Sequence, residues 1–125
     1  MGIFKIEQQE DTPQVSIDFD NGIVEFKGKS LPEDSTDFFR PVEDAVRKYL
    51  SEPQPTTIVS LQFDYLNSSS QKRMLEIVSL FEDLELNGKS LEVIWFYPDD
   101  DDDILDEGKE FARMLGMNIA IKPIN

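Results

Sequence analysis

The sequence predicts a single α/β domain on a mixed β-sheet, antiparallel at its start and mostly parallel later, with about three helices packed on it. Three observations carry this expectation. Apolar and polar residues alternate on both sides of Asn21-Gly22, which marks a hairpin near the amino terminus. Beyond it, strand-like and helix-like stretches alternate, with connections short enough for βαβ crossovers. The 125 residues suffice for one buried core, so residues 1–125 form one domain in this reading.

Residues 3–6 read as a short strand and Gln8 to Pro13 as a polar loop. Val15, Ile17 and Phe19 alternate with Ser16, Asp18 and Asp20, the period of a half-buried strand. Asn21-Gly22 is the favoured pair for a type I′ turn, and Ile23 to Lys27 is the returning strand. Gly28 to Asp34 breaks the pattern. A helix follows from near Ser35 or Thr36, its apolar face supplied by Phe38, Phe39, Val42, Ala45, Val46, Tyr49 and Leu50. Pro41 lacks a backbone donor and crowds the preceding turn, so a kink, or a helix start near residue 41, is expected.

After the Pro-punctuated connection from Ser51 to Pro55, Thr57 to Phe63 reads as a central strand, rich in β-branched and apolar residues. It runs out through Asp64, Tyr65 and Leu66 into a polar turn. Met74, Ile77, Val78, Phe81 and Leu84 then recur at helical spacing, in a helix expected after Ser68 and running to about Leu86, with Asn87-Gly88 as its stop. Leu91 to Tyr97 is a further strand, followed by Pro98 and the aspartates Asp99 to Asp103. A last helix over roughly 103–115 buries Leu105, Phe111, Ala112 and Leu115 and stops at Gly116, and Asn118 to Ile124 closes the chain as a strand.

Composition excludes several kinds of function. A formal net charge of −14 opposes binding to nucleic acid or to an anionic membrane surface. The chain has neither Cys nor His, which removes disulfides, thiolate nucleophiles, Cys- and His-based metal sites and any imidazole base. Catalysis could rest only on carboxylates, Lys, Tyr or a hydroxyl, and no catalytic residue is assigned. The amino terminus lacks the apolar core of a signal peptide, and no stretch approaches the roughly 18 apolar residues of a membrane span, so a cytoplasmic protein without membrane insertion is expected. Gly2 does not complete a myristoylation motif, since Ile6 stands where Ser or Thr is wanted. Gly28-Lys29-Ser30 resembles the end of a phosphate-binding loop but lacks the upstream glycine and the following helix.

The turn before the central helix concentrates hydroxyls. Ser68 stands where an N-cap belongs, with Gln71 in the capping-box position. The free N–H groups and positive dipole end of that helix would receive a phosphate on Ser68. Two readings stand at this point: Ser68 only caps the helix, or it is also modified. The aspartate run offers oxygen ligands for Ca²⁺ or Mg²⁺, but it lacks the alternating positions, central glycine and distal glutamate of an EF-hand. A solvated acidic turn favouring the next helix is the stronger reading. Neither metal nor cofactor is assigned.

Gly28-x-Ser30-x-Pro32-Glu33-Asp34, Phe38-Phe39-x-Pro41, Tyr49, Phe63-x-Tyr65-Leu66-Asn67-Ser68-Ser69-Ser70, Trp95-x-Tyr97 and Gly108 together resemble the SiaC family of bacterial regulatory phosphoproteins. The strand, Asn67-Ser68-Ser69-Ser70, helix path is also similar to the phosphorylated segment of anti-sigma-factor antagonists, which implies a STAS-like fold. The resemblance implies a non-catalytic protein, phosphorylated by a GHKL-type kinase and dephosphorylated by a PP2C-like phosphatase. It also implies that the unphosphorylated form binds and activates a diguanylate cyclase, and so controls cyclic-di-GMP signalling and biofilm behaviour. The modified hydroxyl falls on Ser68, where the family often has threonine, with Ser69 and Ser70 as lesser candidates. Tyr65, Leu66, Asn67, Ser69, Ser70 and Lys72 around it would meet partners.

Two other classes remain open. One is a metal-dependent phosphotransfer or receiver-like protein using Asp64 and Asp99 to Asp103, although no lysine occurs between Leu91 and Asp103 as a receiver would need. The other is a plain acidic interaction domain without a switch.

Overall fold

The computed structural model describes residues 2–124, so Met1, the first residue of the amino-terminal reading above, and Asn125 lie outside it. The elements are β1 (Ile3–Ile6), β2 (Gln14–Asp18), β3 (Ile23–Ser30), α1 (Ser35–Ser51), β4 (Thr56–Leu66), α2 (Ser68–Ser79), α3 (Glu82–Leu86), β5 (Ser90–Pro98), α4 (Asp102–Leu115) and β6 (Ile119–Ile124). The six strands form one sheet in the order β1-β2-β3-β4-β5-β6. β1, β2 and β3 pair antiparallel, and β3 to β6 pair parallel. The expected mixed sheet is present.

Each parallel crossover steps one strand in the same direction. Right-handed connections therefore place α1, α2 and α4 on one face of the sheet, where α1 meets α2 and α2 meets α4. Alternation follows from this layering: Val24, Phe26 and Ser30 of β3 are buried beneath the helices, while Glu25, Lys27 and Lys29 face solvent. The core centres on an aromatic chain, with ring centroids 6.3 Å apart for Phe26 and Phe63, 6.1 Å for Phe63 and Trp95, and 5.2 Å for Trp95 and Phe111. Such pairs contribute about 0.5–1.5 kcal/mol each beyond the burial of their area.

Several local expectations are corrected. The first hairpin does not turn on two residues: Asp18 pairs with Ile23, leaving a four-residue loop. A type I′ turn needs positive φ at both central positions, and only Gly22 has it here (φ +68°). The loop is organised by Asp18, whose carboxylate accepts from the Asp20 N–H, the Asn21 N–H and the Asn21 side-chain amide. β3 continues through Gly28, Lys29 and Ser30, which the sequence placed in a loop.

α1 starts at Ser35 behind an Asp34 cap and carries Pro41 inside it. Pro41 lies on the exposed side, where water can take the carbonyl its missing N–H leaves free. The second helix stops at Ser79 rather than Leu86. Leu80 and Phe81 donate to Ile77 and Val78, three residues back, which tightens the chain into a turn and carries Phe81 fully into the core before α3 begins.

Candidate functional site

β3, β4 and β5 run parallel, so their carboxyl ends meet one edge of the molecule, and α1, α2 and α4 all begin there. Open α/β sheets characteristically place ligand and partner sites at this edge. The three helix starts differ electrostatically. Asp34 caps α1, with Asp37 in the first turn, and Asp101 caps α4, with Asp102 and Asp103 in the first turn. α2 is capped by the neutral Asn67 and has no acidic residue in its first turn. Its positive end is the one left uncompensated among these three.

Ser68 is therefore not the cap. Asn67 is extended (φ −77°, ψ 170°), and its side-chain oxygen accepts from the Ser70 N–H at 2.9 Å. Asn is as good a cap as Ser, and the Asn67 N–H is already fixed to the Ser30 carbonyl at 3.0 Å, so the helix begins one residue earlier than it would behind a Ser68 cap. Gln71 correspondingly makes no capping box. Asn67→Ala is expected to destabilise the fold by about 1 kcal/mol, read from the urea midpoint, and Ser68→Ala by clearly less.

As the first helical residue, Ser68 is exposed and its hydroxyl is not needed for the cap. Ser69 is also exposed, but its hydroxyl donates to the Asn67 side chain at 3.2 Å. Ser70 is fully buried and receives the Ser30 hydroxyl at 2.8 Å. Of the three serines, only Ser68 and Ser69 present a hydroxyl to solvent.

The surrounding residues divide in the same way. Leu66 is buried with the core, so among the candidate contact residues it and Ser70 are out of a partner's reach. Asn67 is half-buried, Lys72 is exposed, and Tyr65 is 52% exposed. Tyr65 owes its position to a bulge: Gly28 pairs with Phe63 but Lys29 with Tyr65, so Asp64 is an extra residue and the side-chain alternation shifts. With uninterrupted alternation beyond Phe63, Tyr65 and not Leu66 would point under the helices.

Ser68 also opens a groove of about 650 Å³ between α2 and α4, lined by Ser68, Lys72 and Leu75 on one wall and Asp106, Phe111 and Met114 on the other. The Gln71 side-chain amide crosses it to donate to Glu107. Burial pushes the Glu107 carboxyl up from its usual range and the nearby Asp101 charge adds to this, against the opposing Gln71 hydrogen bond. The native state thus holds the Glu107 proton more readily than the unfolded chain, so stability is lost as pH rises from about 4.5 through the raised value. Glu107→Gln is expected to flatten that part of the stability profile, measured by urea titration across pH 4–8.

The α4 wall was absent from the sequence reading. Its signal was Glu107, Phe111 and Met114 on one helical face, a stripe that the sequence alone could not bring to Leu75.

Asp64, at the bulge, is exposed, and the Asp101 carboxylate is engaged by the Ile104 N–H at 3.0 Å as an N-cap. The acidic run thus serves the start of α4. Among the described residues no group of three or more Asp or Glu is arranged to hold a metal ion. No helix among the described residues is long and apolar enough to cross a membrane.

Comparison with known proteins gives concordant matches. A model described as SiaC family regulatory phosphoprotein matches residues 6–124. A protein of Pseudomonas aeruginosa (strain UCBPP-PA14), described as uncharacterised, is 30% identical over 111 residues, which covers 89% of this chain and 88% of that protein. The structure of SiaC of Pseudomonas aeruginosa superposes with a TM-score of 0.88 at 28% identity, covering 99% of this chain and 100% of that one. A chain from the complex of the diguanylate cyclase SiaD with its activator SiaC, also from Pseudomonas aeruginosa, gives a TM-score of 0.89 at 28% identity over 97% of this chain and 99% of that one.

Proposed function

This chain belongs to the SiaC family of regulatory phosphoproteins, and on that premise we propose that it is a non-catalytic cytoplasmic signalling protein switched by phosphorylation of Ser68. The unphosphorylated form binds and activates a diguanylate cyclase, a GHKL-type kinase adds the phosphate, and a PP2C-like phosphatase removes it. The observation that carries the reading is Ser68 itself, an exposed hydroxyl on the first residue of the one major helix whose amino end has a neutral cap and no first-turn carboxylate. A phosphate there adds about −1.5 to −2 charges against the positive helix end, so the modified fold is tolerated while its outer surface changes. The description of SiaC as activator of SiaD in a relative's complex supports the choice of a cyclase as effector.

The test is modification with the GHKL-type kinase of the same organism and ATP, followed by intact mass and peptide fragmentation. One phosphate on Ser68, absent from Ser68→Ala and removed by the phosphatase, is the expected result. A phosphate carried by Ser69, or by Ser68→Ala, would overturn the assignment. Purified protein with Mg²⁺ and nucleoside triphosphates should show no turnover, and turnover lost on Asp64→Asn would overturn the non-catalytic reading.

A further inference from the structure

The groove between α2 and α4 is an unpartnered surface whose chemistry specifies an occupant. Its floor is apolar, with Leu75 half-buried and Phe111 buried, and Met114 stands 57% exposed at the end away from Ser68. Exposed methionine is adaptable and recurs on surfaces that receive apolar side chains. Both walls are helices that start at the same edge, and residues 103–114 of α4 extend the groove over about 16 Å, three helical turns.

One rim is acidic. Asp103 and Asp106 lie along it without a basic side chain at ion-pairing distance among the described residues, whereas Glu110 is held by Arg113. A chain carrying −14 repels a second copy of itself, and the rim repels a nucleotide phosphate for the same reason. We propose that the groove receives an amphipathic helix of a protein partner, with apolar side chains spaced every third or fourth residue entering over Leu75, Phe111 and Met114, and Lys or Arg flanking them toward Asp103 and Asp106.

This deepens the reading of Ser68 as a switch by naming the kind of segment an effector presents beside it. The apolar anchors supply affinity. The rim charges, exposed and screened by salt, orient the segment and speed its arrival. A phosphate on Ser68 at the groove mouth lies beneath the body of a full-size partner, where its hydration is lost.

The test uses a synthetic helix of about 18 residues, long enough to fold on binding, with leucines along one face and lysines elsewhere. Its titration into isotopically labelled protein should give saturable shifts at Leu75, Phe111 and Met114. Met114→Glu should weaken it about tenfold or more although it makes the protein more acidic, which separates docking from general charge attraction. Asp106→Lys should weaken it several-fold at low salt and less at high salt. Both positions are exposed, and circular dichroism would confirm that each variant folds. Shifts scattered over the acidic surface, or an unchanged affinity for Met114→Glu, would overturn the groove. A cyclase that fails to bind the wild-type protein would instead overturn the effector assignment, leaving the peptide result standing.

Discussion

Phosphorylation of Ser68, or Ser68→Asp, is expected to weaken binding of the cognate diguanylate cyclase by about tenfold or more, a loss of about 1.4 kcal/mol or greater. Two opposing effects decide the sign. Any cation the cyclase brings to the covered phosphate is desolvated along with it, so their attraction offsets only part of the cost. Covering the phosphate removes its hydration, which costs several kcal/mol per ion even after the surroundings relax. Desolvation therefore wins, and the protein with neutral Ser68 is the form expected to bind.

Ser68→Ala should bind as the unmodified protein does, because the cap rests on Asn67, and should resist the kinase. Calorimetry on the four forms, with circular dichroism for folding, measures this. Equal or tighter binding by the phosphorylated protein would reverse the direction of the switch.

Gly108→Ala is expected to destabilise the protein, although the same change in an exposed helix stabilises by about 1 kcal/mol. A Cβ at position 108 would lie 2.4 Å from Cδ1 and 2.6 Å from Nε1 of Trp95, well inside contact distance. The indole has little room to yield: it is fully buried, its ring nitrogen donates to the Ile104 carbonyl at 3.0 Å, and Phe63 and Phe111 flank it. Overpacking of this kind costs about 1–3 kcal/mol, and for a domain of this size a melting temperature lower by very roughly 3–10 °C follows.

The clash involves the indole's five-membered ring, so Trp95→Phe should relieve it. In a double-mutant cycle the two changes together should cost less than their sum. Additive losses would show that helix α4 moves away from the sheet as a whole.

Much of this architecture was legible in the chain. The strands followed from alternation around Val15 and Ile17 and from the β-branched run at Thr57 to Phe63, and the helices followed from stripes such as Met74, Ile77 and Val78. What escaped was decided by tertiary geometry. Asn67 and Ser68 are equivalent as caps by composition, and the choice was made by the Ser30 carbonyl, thirty-odd residues away in sequence. The extra residue at Asp64 has no compositional mark, yet it exchanges the orientations of Tyr65 and Leu66. The break at Leu80 and Phe81 satisfies the same apolar spacing as an uninterrupted helix would. The acidic wall of the groove needed knowledge of which helices are neighbours.

The strand order of the sheet is the order of the chain, which matters for a protein emerging from a ribosome. No later strand inserts between earlier ones, so each strand-helix unit can be added to the growing edge as it is made, without undoing what has formed. The serine-bearing turn comes at the middle of that process and depends on Ser30, already synthesised, for its tether. The helix opposite it arrives in the final quarter of synthesis, and with it the Gln71–Glu107 bridge. Under the proposed switch, a kinase that required both walls would engage finished molecules and pass over nascent ones.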